Sequence, residues 1–151
     1  MATIPTKVKD RLAAGIKRFL PILSSAKTRD VIRLYLKRAD DMDVIDEAPD
    51  LSDALESARA LHPDVIIMNS DLPPIDSAHA ATLLRTEGVI AAILVISMAA
   101  ESEVIQRSFE SGVNGFMYKD EIDEFLVDGI RRVQQGERYL SPKAGDVYRS
   151  S

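Results

Sequence analysis

The sequence predicts an α/β fold, a doubly wound parallel sheet, on three observations. Val65, Ile66, Ile67 and Met68 run together without polar alternation, and residues 89–96 form a second apolar run. Such runs suit strands covered on both faces, as parallel strands are. Five strand-like runs alternate with five segments of helical period and ordinary length. The run at 65–68 then stops in a polar, proline-rich stretch that opens a helix. Asn69 therefore falls at the carboxyl end of a central strand, where open α/β sheets place ligands and chemistry.

Residues 5–16 are basic, with Val8, Leu12 and Ile16 four apart and Gly15 interrupting them, and read as an added N-terminal helix. Residues 19–23 read as the first strand, with a ladder broken at Pro21, which has no N–H to donate. Thr28 is the expected N-cap of a helix burying Ile32, Tyr35, Leu36 and Ala39 and wetting Arg33, Lys37 and Arg38. Residues 42–48 form the second strand, and Asp50 caps a helix with Leu51, Ala54, Leu55 and Ala58 inward. After the strand at 65–68, Asp76 or Ser77 opens a helix with Ala80, Ala81 and Leu84 inward, closed by Gly88. Residues 89–96 are the fourth strand, and a helix from Ser102 lines up Ile105, Ser108, Phe109 and Gly112. Gly115, Phe116, Met117 and Tyr118 make the last strand. Asp120 is the expected cap of a final helix carrying Ile122, Phe125, Leu126, Ile130 and Val133 up to Gly136.

Length and composition bound the function. A chain of 151 residues fits one domain with a proper core. Without cysteine it has neither disulfides nor thiolate metal sites, and its two isolated histidines make no ligand cluster. No apolar run approaches the ~20 residues that span a bilayer, and no charged-then-apolar leader is present. The expectation is a soluble, cytoplasmic module. Residues 1–38 hold 10 basic and 2 acidic residues, the remainder 9 and 22. That asymmetry suits an anionic partner or head-to-tail pairing with a second copy, against the plainer reading of a solvated helix face. The basic segment lacks interleaved aromatics and any helix-turn-helix signature, which argues against nucleic acid. Its thin apolar line argues against a membrane surface.

The stretch Asp64-Val65-Ile66-Ile67-Met68-Asn69-Ser70-Asp71-Leu72-Pro73-Pro74-Ile75-Asp76 resembles the phosphoacceptor segment of two-component response-regulator receiver domains. Residues 136–142 resemble the receiver-to-output linker of their NarL/FixJ-like class. The resemblance spans residues 18–142 and implies a flavodoxin-like (βα)5 sheet of strand order 2-1-3-4-5. The expected organisation is an N-terminal extension over 1–16, a receiver-like domain over 17–136 and a linker-like tail over 137–151.

The resemblance also assigns site positions. Asn69 stands where the phosphorylated aspartate belongs. The acidic pair that holds magnesium corresponds to Leu23, Ser24 and Ser25, none of which carries charge, although a hard cation wants oxygen ligands. Asn69 offers no anionic oxygen to attack phosphorus. Lys119, Ser97 and Phe116 match the phosphoryl-pairing lysine, the hydroxyl residue and the aromatic switch. Lys119 is expected to bond the Asn69 amide oxygen or a strand-end carbonyl in preference to an anion, Ser97 to be a satisfied strand-end hydroxyl, and Met98 to crowd the entrance. His62 and His79 are expected on the surface.

The resulting expectation is a degenerate pseudo-receiver of phosphorelay-type signalling, with no catalytic residue, cofactor or metal. It would act through protein contact with a histidine kinase or another regulator. A homodimer is expected through Ile105, Phe109, Tyr118, Ile122 and Phe125, with the first helix as the kinase-docking face. The alternatives are a receiver fragment of a helix-turn-helix transcription regulator, a receiver phosphorylated at a non-standard carboxylate such as Asp71, and a small anion held beside Lys119.

Overall fold

The computed structural model describes residues 17–22, 26–72 and 75–150; the segment 1–16, read as an added helix, lies outside them. Strands and helices alternate: β1 (Lys17–Ile22), α1 (Ala26–Lys37), β2 (Met42–Val44), α2 (Leu51–Leu61), β3 (Val65–Asn69), α3 (Ser77–Thr86), β4 (Ala92–Ser97), α4 (Ser102–Glu110), β5 (Gly115–Tyr118), α5 (Ile122–Gln134), β6 (Tyr139–Leu140) and α6 (Pro142–Arg149). The sheet is six-stranded, in order β2-β1-β3-β4-β5-β6, and every neighbouring pair is parallel. The expected doubly wound fold and its 2-1-3-4-5 order are both present, with one strand added at the β5 edge.

The period of two along β3 explains the layering. Ile66 and Met68 face one core with Ala54, Ala80, Leu84, Ile105 and Ala144 of α2, α3, α4 and α6. Val65 and Ile67 face the other with Ile32 and Leu36 of α1 and Leu126 and Ile130 of α5. All four strand residues are wholly buried, each worth roughly 1.5–3 kcal/mol of transfer free energy. The amino end of the sheet is locked by Arg85. Its guanidinium donates to the carbonyls of Val89 (2.8 Å), Ala91 (2.7 Å) and Gly112 (2.8 Å) and to Asn114 Oδ1 (2.9 Å). Asn114 Oδ1 also accepts the Ile93 N–H at 2.8 Å.

Four local expectations change. The ladder runs through Pro21, paired with Ile67; β2 covers only Lys17, Arg18 and Phe19, so at Pro21 the strand is an edge on that side and its missing N–H is tolerated. Helix α1 starts at Ala26 and buries Thr28 within its first turn. Strand β2 has three residues, because the chain turns toward α2, where Asp50 caps as expected by accepting the Asp53 N–H at 2.9 Å. Asp120 does not cap the last helix. A 3-10 turn, Lys119–Glu121, precedes α5, and Asp120 pairs instead with Lys143 Nζ at 3.0 Å.

Of the segment 137–151, read as a linker-like tail, the described residues 137–150 join the domain. β6 pairs with β5 through Tyr139 and Leu140, and Ser141 caps α6, its hydroxyl oxygen accepting the Ala144 N–H at 3.2 Å. The Glu121 carboxylate, 9% exposed, secures the junction. It accepts the Tyr118 N–H (3.1 Å), the Ser141 hydroxyl (2.5 Å) and the Lys143 N–H (3.1 Å). Arg138 lies over the Phe109 ring at 4.0 Å, closing the seam with α4. Gly129 lets the Tyr139 ring approach α5, since a Cβ there would stand 2.7 Å from Tyr139 Cε1.

Two outcomes are expected. Glu121→Ala leaves two buried donors and one half-buried donor without their charged acceptor and lowers unfolding free energy by about 3 kcal/mol, read from urea transitions. The Tyr139 hydroxyl is buried without a partner among the described residues, and burial pushes its pKa up to about 12 from 10. The folded state therefore holds the proton more tightly, so stability is intact below pH ~10 and declines as pH rises toward 12. Tyr139→Phe removes an unpaired polar group, raising stability at pH 7 by about 1 kcal/mol and flattening the alkaline decline.

Candidate functional site

Register brings the candidate residues to one edge of the sheet. Asn69 pairs with Ile96 and Ser97 with Tyr118, so Asn69, Ser97 and Lys119 finish adjacent strands together. Their carboxyl ends open into a cleft of about 470 Å3 lined by Asn69, Ser70, Asp76, Ser97, Met98 and Lys119, with the 99–100 backbone along one wall. Asn69 is half-buried at the end of β3. Ser97 is 4% exposed, and its Oγ accepts from the Ser70 hydroxyl at 2.9 Å. Lys119 is exposed at the start of the 3-10 turn, and among the described residues no hydrogen bond or ion pair joins it to Asn69. The expected Lys119–Asn69 tie is absent because a long cationic side chain at a sheet edge gains more by staying hydrated than by ordering itself on a neutral amide.

Met98 does not fill the entrance. It is 73% exposed, because β4 ends at Ser97 and the next side chain is carried out past the sheet's last covered position. The cleft stays open. Phe116 is wholly buried and meets Tyr118 edge-on, with centroids 6.2 Å apart and planes at 69°. Tyr118 is the residue that touches the cleft wall: its hydroxyl donates to the Ala100 carbonyl at 2.5 Å, and burial raises its pKa above the ordinary tyrosine value.

Asp76 is the carboxylate lining this cleft among the described side chains. It caps α3, accepting the His79 N–H at 3.0 Å, with His79 Nδ1 at 3.1 Å and Arg107 Nη1 at 3.7 Å. The His79 N–H foremost, together with the His79 ring and the Arg107 guanidinium, holds its carboxyl below the usual range. Asp71 instead pairs through its backbone with Asp76 in a two-residue antiparallel ladder, Asp71–Leu72 with Ile75–Asp76. Leu23, Ser24 and Ser25 lie outside the described residues. Among the described residues no group of three or more His, Cys, Asp or Glu side chains comes together to hold a metal ion; the cleft offers Asn69, the serines and Asp76, which is engaged in its cap.

The anticipated apolar contact surface is mostly core. Ile105, Tyr118 and Ile122 are buried, Phe109 is half-buried beneath Arg138, and Phe125 is half-buried against the α1–α5 core. Helical spacing identified the inward stripe of α4 and α5, and the unexpected α6 covers what α4 would have shown. His62 and His79 are exposed, as expected. Sequence reasoning missed the cleft role of Asp76 and the hydroxyl pair Ser70–Ser97; the only signals for them were an N-cap position and adjacency to Asn69.

A doubly wound parallel sheet with a polar, lysine-edged cleft at its carboxyl end defines the class: an α/β signalling module of the receiver type. Residues 25–131 match the response regulator receiver domain, and the chain belongs to that family. It is similar to the oxygen regulatory protein NreC of Staphylococcus carnosus (strain TM300), 32% identical over 119 residues, 78% of this chain and 55% of that protein. It is also similar to the transcriptional regulatory protein DesR of Bacillus subtilis (strain 168), 32% identical over 108 residues, 72% and 53%. The chain thus spans about half the length of these relatives. Among solved structures, a LuxR-family two-component response regulator from Aurantimonas sp. SI85-9A1 superposes with a TM-score of 0.84 at 25% identity, covering 89% of this chain and 96% of that one. The receiver domain of NarL from Mycobacterium tuberculosis shares the fold with a TM-score of 0.76.

Tyr118→Phe removes the bond to the Ala100 carbonyl. The expected result is a loss of about 1 kcal/mol and faster amide exchange confined to residues 98–101, measured by hydrogen–deuterium exchange.

Proposed function

We propose that this chain is a pseudo-receiver: it keeps the receiver fold and works by protein contact, without accepting a phosphoryl group. The observation that carries the reading is Asn69 at the end of β3, in the place where the family's motif has its aspartate. Phosphoryl transfer in such a site is positioning plus electrostatics around an anionic nucleophile and a bound cation. A neutral amide supplies no attacking oxygen. The carboxylate beside it, Asp76, is lowered in pKa by its cap and spends its lone pairs on His79, so it is poorly placed as a substitute.

Partners are those of a receiver: a histidine kinase or another regulator, by analogy with the family. Helix α1 supports this, presenting Val31 and Leu34, the latter 55% exposed, beside a cleft it shares with Lys119, Asp120 and Asp123. No helix among the described residues is long and apolar enough to cross a membrane, in keeping with a cytoplasmic role. On this reading the chain is not an enzyme and needs no cofactor.

The test is incubation with acetyl phosphate and magnesium followed by intact-mass measurement, alongside amide-shift titration with beryllofluoride and magnesium. The expected result is no added phosphoryl mass and no saturable shift at Ser97 or Lys119. Asn69→Asp is expected to stay unlabelled, since it restores the nucleophile without the metal ligands. A phosphoryl group on the native chain, at Asp76 or elsewhere, overturns the reading.

A further inference from the structure

A face-to-face dimer through α4, β5 and α5 is the arrangement the receiver resemblance implies, and the structure obstructs it. Ile105 and Tyr118 are buried, and the half-buried Phe109 lies beneath Arg138. What covers this face is the chain's own β6–α6 unit. The surface complementary to α4 and β5 is therefore already known, residue by residue: Arg138 on Phe109, Ser141 and Lys143 on Glu121, and Lys143 Nζ on Asp120.

The connection that places this unit is short and rests on one backbone conformation. Helix α5 ends at Gln134, and the chain reverses in a two-bond C-terminal turn. The Gly136 N–H donates to the Val133 carbonyl at 3.1 Å and the Glu137 N–H to the Arg132 carbonyl at 3.1 Å. That pattern needs a left-handed residue at Gly136, which has φ +87°. Residues 135–138 are all exposed, and a Cβ at Gly136 would meet nothing within 4 Å. The turn thus depends on the left-handed conformation of one glycine, where a side chain would meet nothing. Were Gly136 to adopt right-handed φ, α5 would continue outward and carry β6–α6 away from its own sheet.

We infer that the chain self-associates by reciprocal exchange of β6–α6, each copy laying its unit on the β5–α4 face of the other. Every docking contact is recovered in the exchanged dimer, so the balance is set by the hinge and by concentration. The partner copy's Ser141 and Lys143 then complete the Glu121 site. This inference is independent of the phosphorylation reading, and neither test bears on the other.

The experiment is a hinge series on the full chain, Gly136→Asn and Gly136→Ala beside the native protein, followed by light scattering across a dilution series. Left-handed φ is strained for alanine and less so for asparagine. The strain falls only on the closed turn, so the dimer dissociation constant is expected to fall in the order Gly, Asn, Ala. The fall is on the order of tenfold per hinge for alanine, from the usual left-handed penalty. The chain lacks cysteine, so D120C/K143C in the Gly136→Ala background gives a clean topology readout with a short bis-maleimide, with D120C alone as the control. Covalent dimers on a denaturing gel from the dimer fraction, absent from the control, bear the inference out. Cross-links closed within single chains, a reversed hinge order, or a Gly136→Ala chain that stays monomeric throughout the series overturns it.

Discussion

The buried carboxylate of Glu121 is the interaction on which the carboxyl half of this molecule depends. A carboxylate removed from water must be matched by donors, and here three arrive from separate segments: the end of β5, the cap residue of α6 and the first turn of α6. Charge-assisted bonds of this kind are roughly twice as strong as neutral ones. The arrangement is also directional. Glu121 must sit in the 3-10 turn before α5 for its oxygens to reach both β5 and Ser141, which is why the turn precedes the helix and Asp120 is displaced from the cap to the surface. The docking of α6 beside α4 rests on that placement.

The parts of the fold that were legible in the sequence are those where local pattern and burial coincide. Residues 65–68 have one environment on both faces, so an unbroken apolar run identifies them, and the same holds for β4 and for Phe116 and Met117. Asn69, Ser97 and Lys119 were legible for a related reason: each is the first polar position after such a run, so topology alone delivers it to the sheet edge. The misreadings sit where a tertiary partner decides. β6 has two residues and no period to detect. Ser141-Pro142 is a good helix start, yet whether that helix docks depends on Glu121, twenty residues earlier. Met98 was assigned bulk inside the cleft from its size, while its direction is set by where β4 stops. Ile122 and Tyr118 were assigned to a contact surface from the face that receivers commonly use, and apolarity says only that a residue avoids water without saying against what.

The two ends of the sheet are built on different principles. At the amino end Arg85 ties loop carbonyls and Asn114 together, a cation almost wholly invested in backbone acceptors, and burial lowers its pKa without depriving it of charge at neutral pH. Such a clamp makes that end stiff. The carboxyl end keeps polar groups at an open cleft: the bonded pair Ser70 and Ser97, the amide of Asn69 and an exposed lysine. An open polar edge beside a rigid frame is the form in which an α/β sheet presents a binding surface.

That contrast bears on how the chain would signal on the pseudo-receiver reading proposed above. In a chemically driven switch the site changes charge and the frame responds. Here the charges at the site are fixed by covalent structure and local bonding: Asn69 cannot ionise, and Asp76 is held in its cap with its carboxyl already below the ordinary range. On the proposed reading a change of state comes from a group arriving at the surface, because a ligand shifts an equilibrium only by its differential affinity for the two states. The element best placed to possess two states is the one attached by a single left-handed residue. The frame supplies a constant shape, and any variability belongs to what docks on it, including the chain's own last strand and helix.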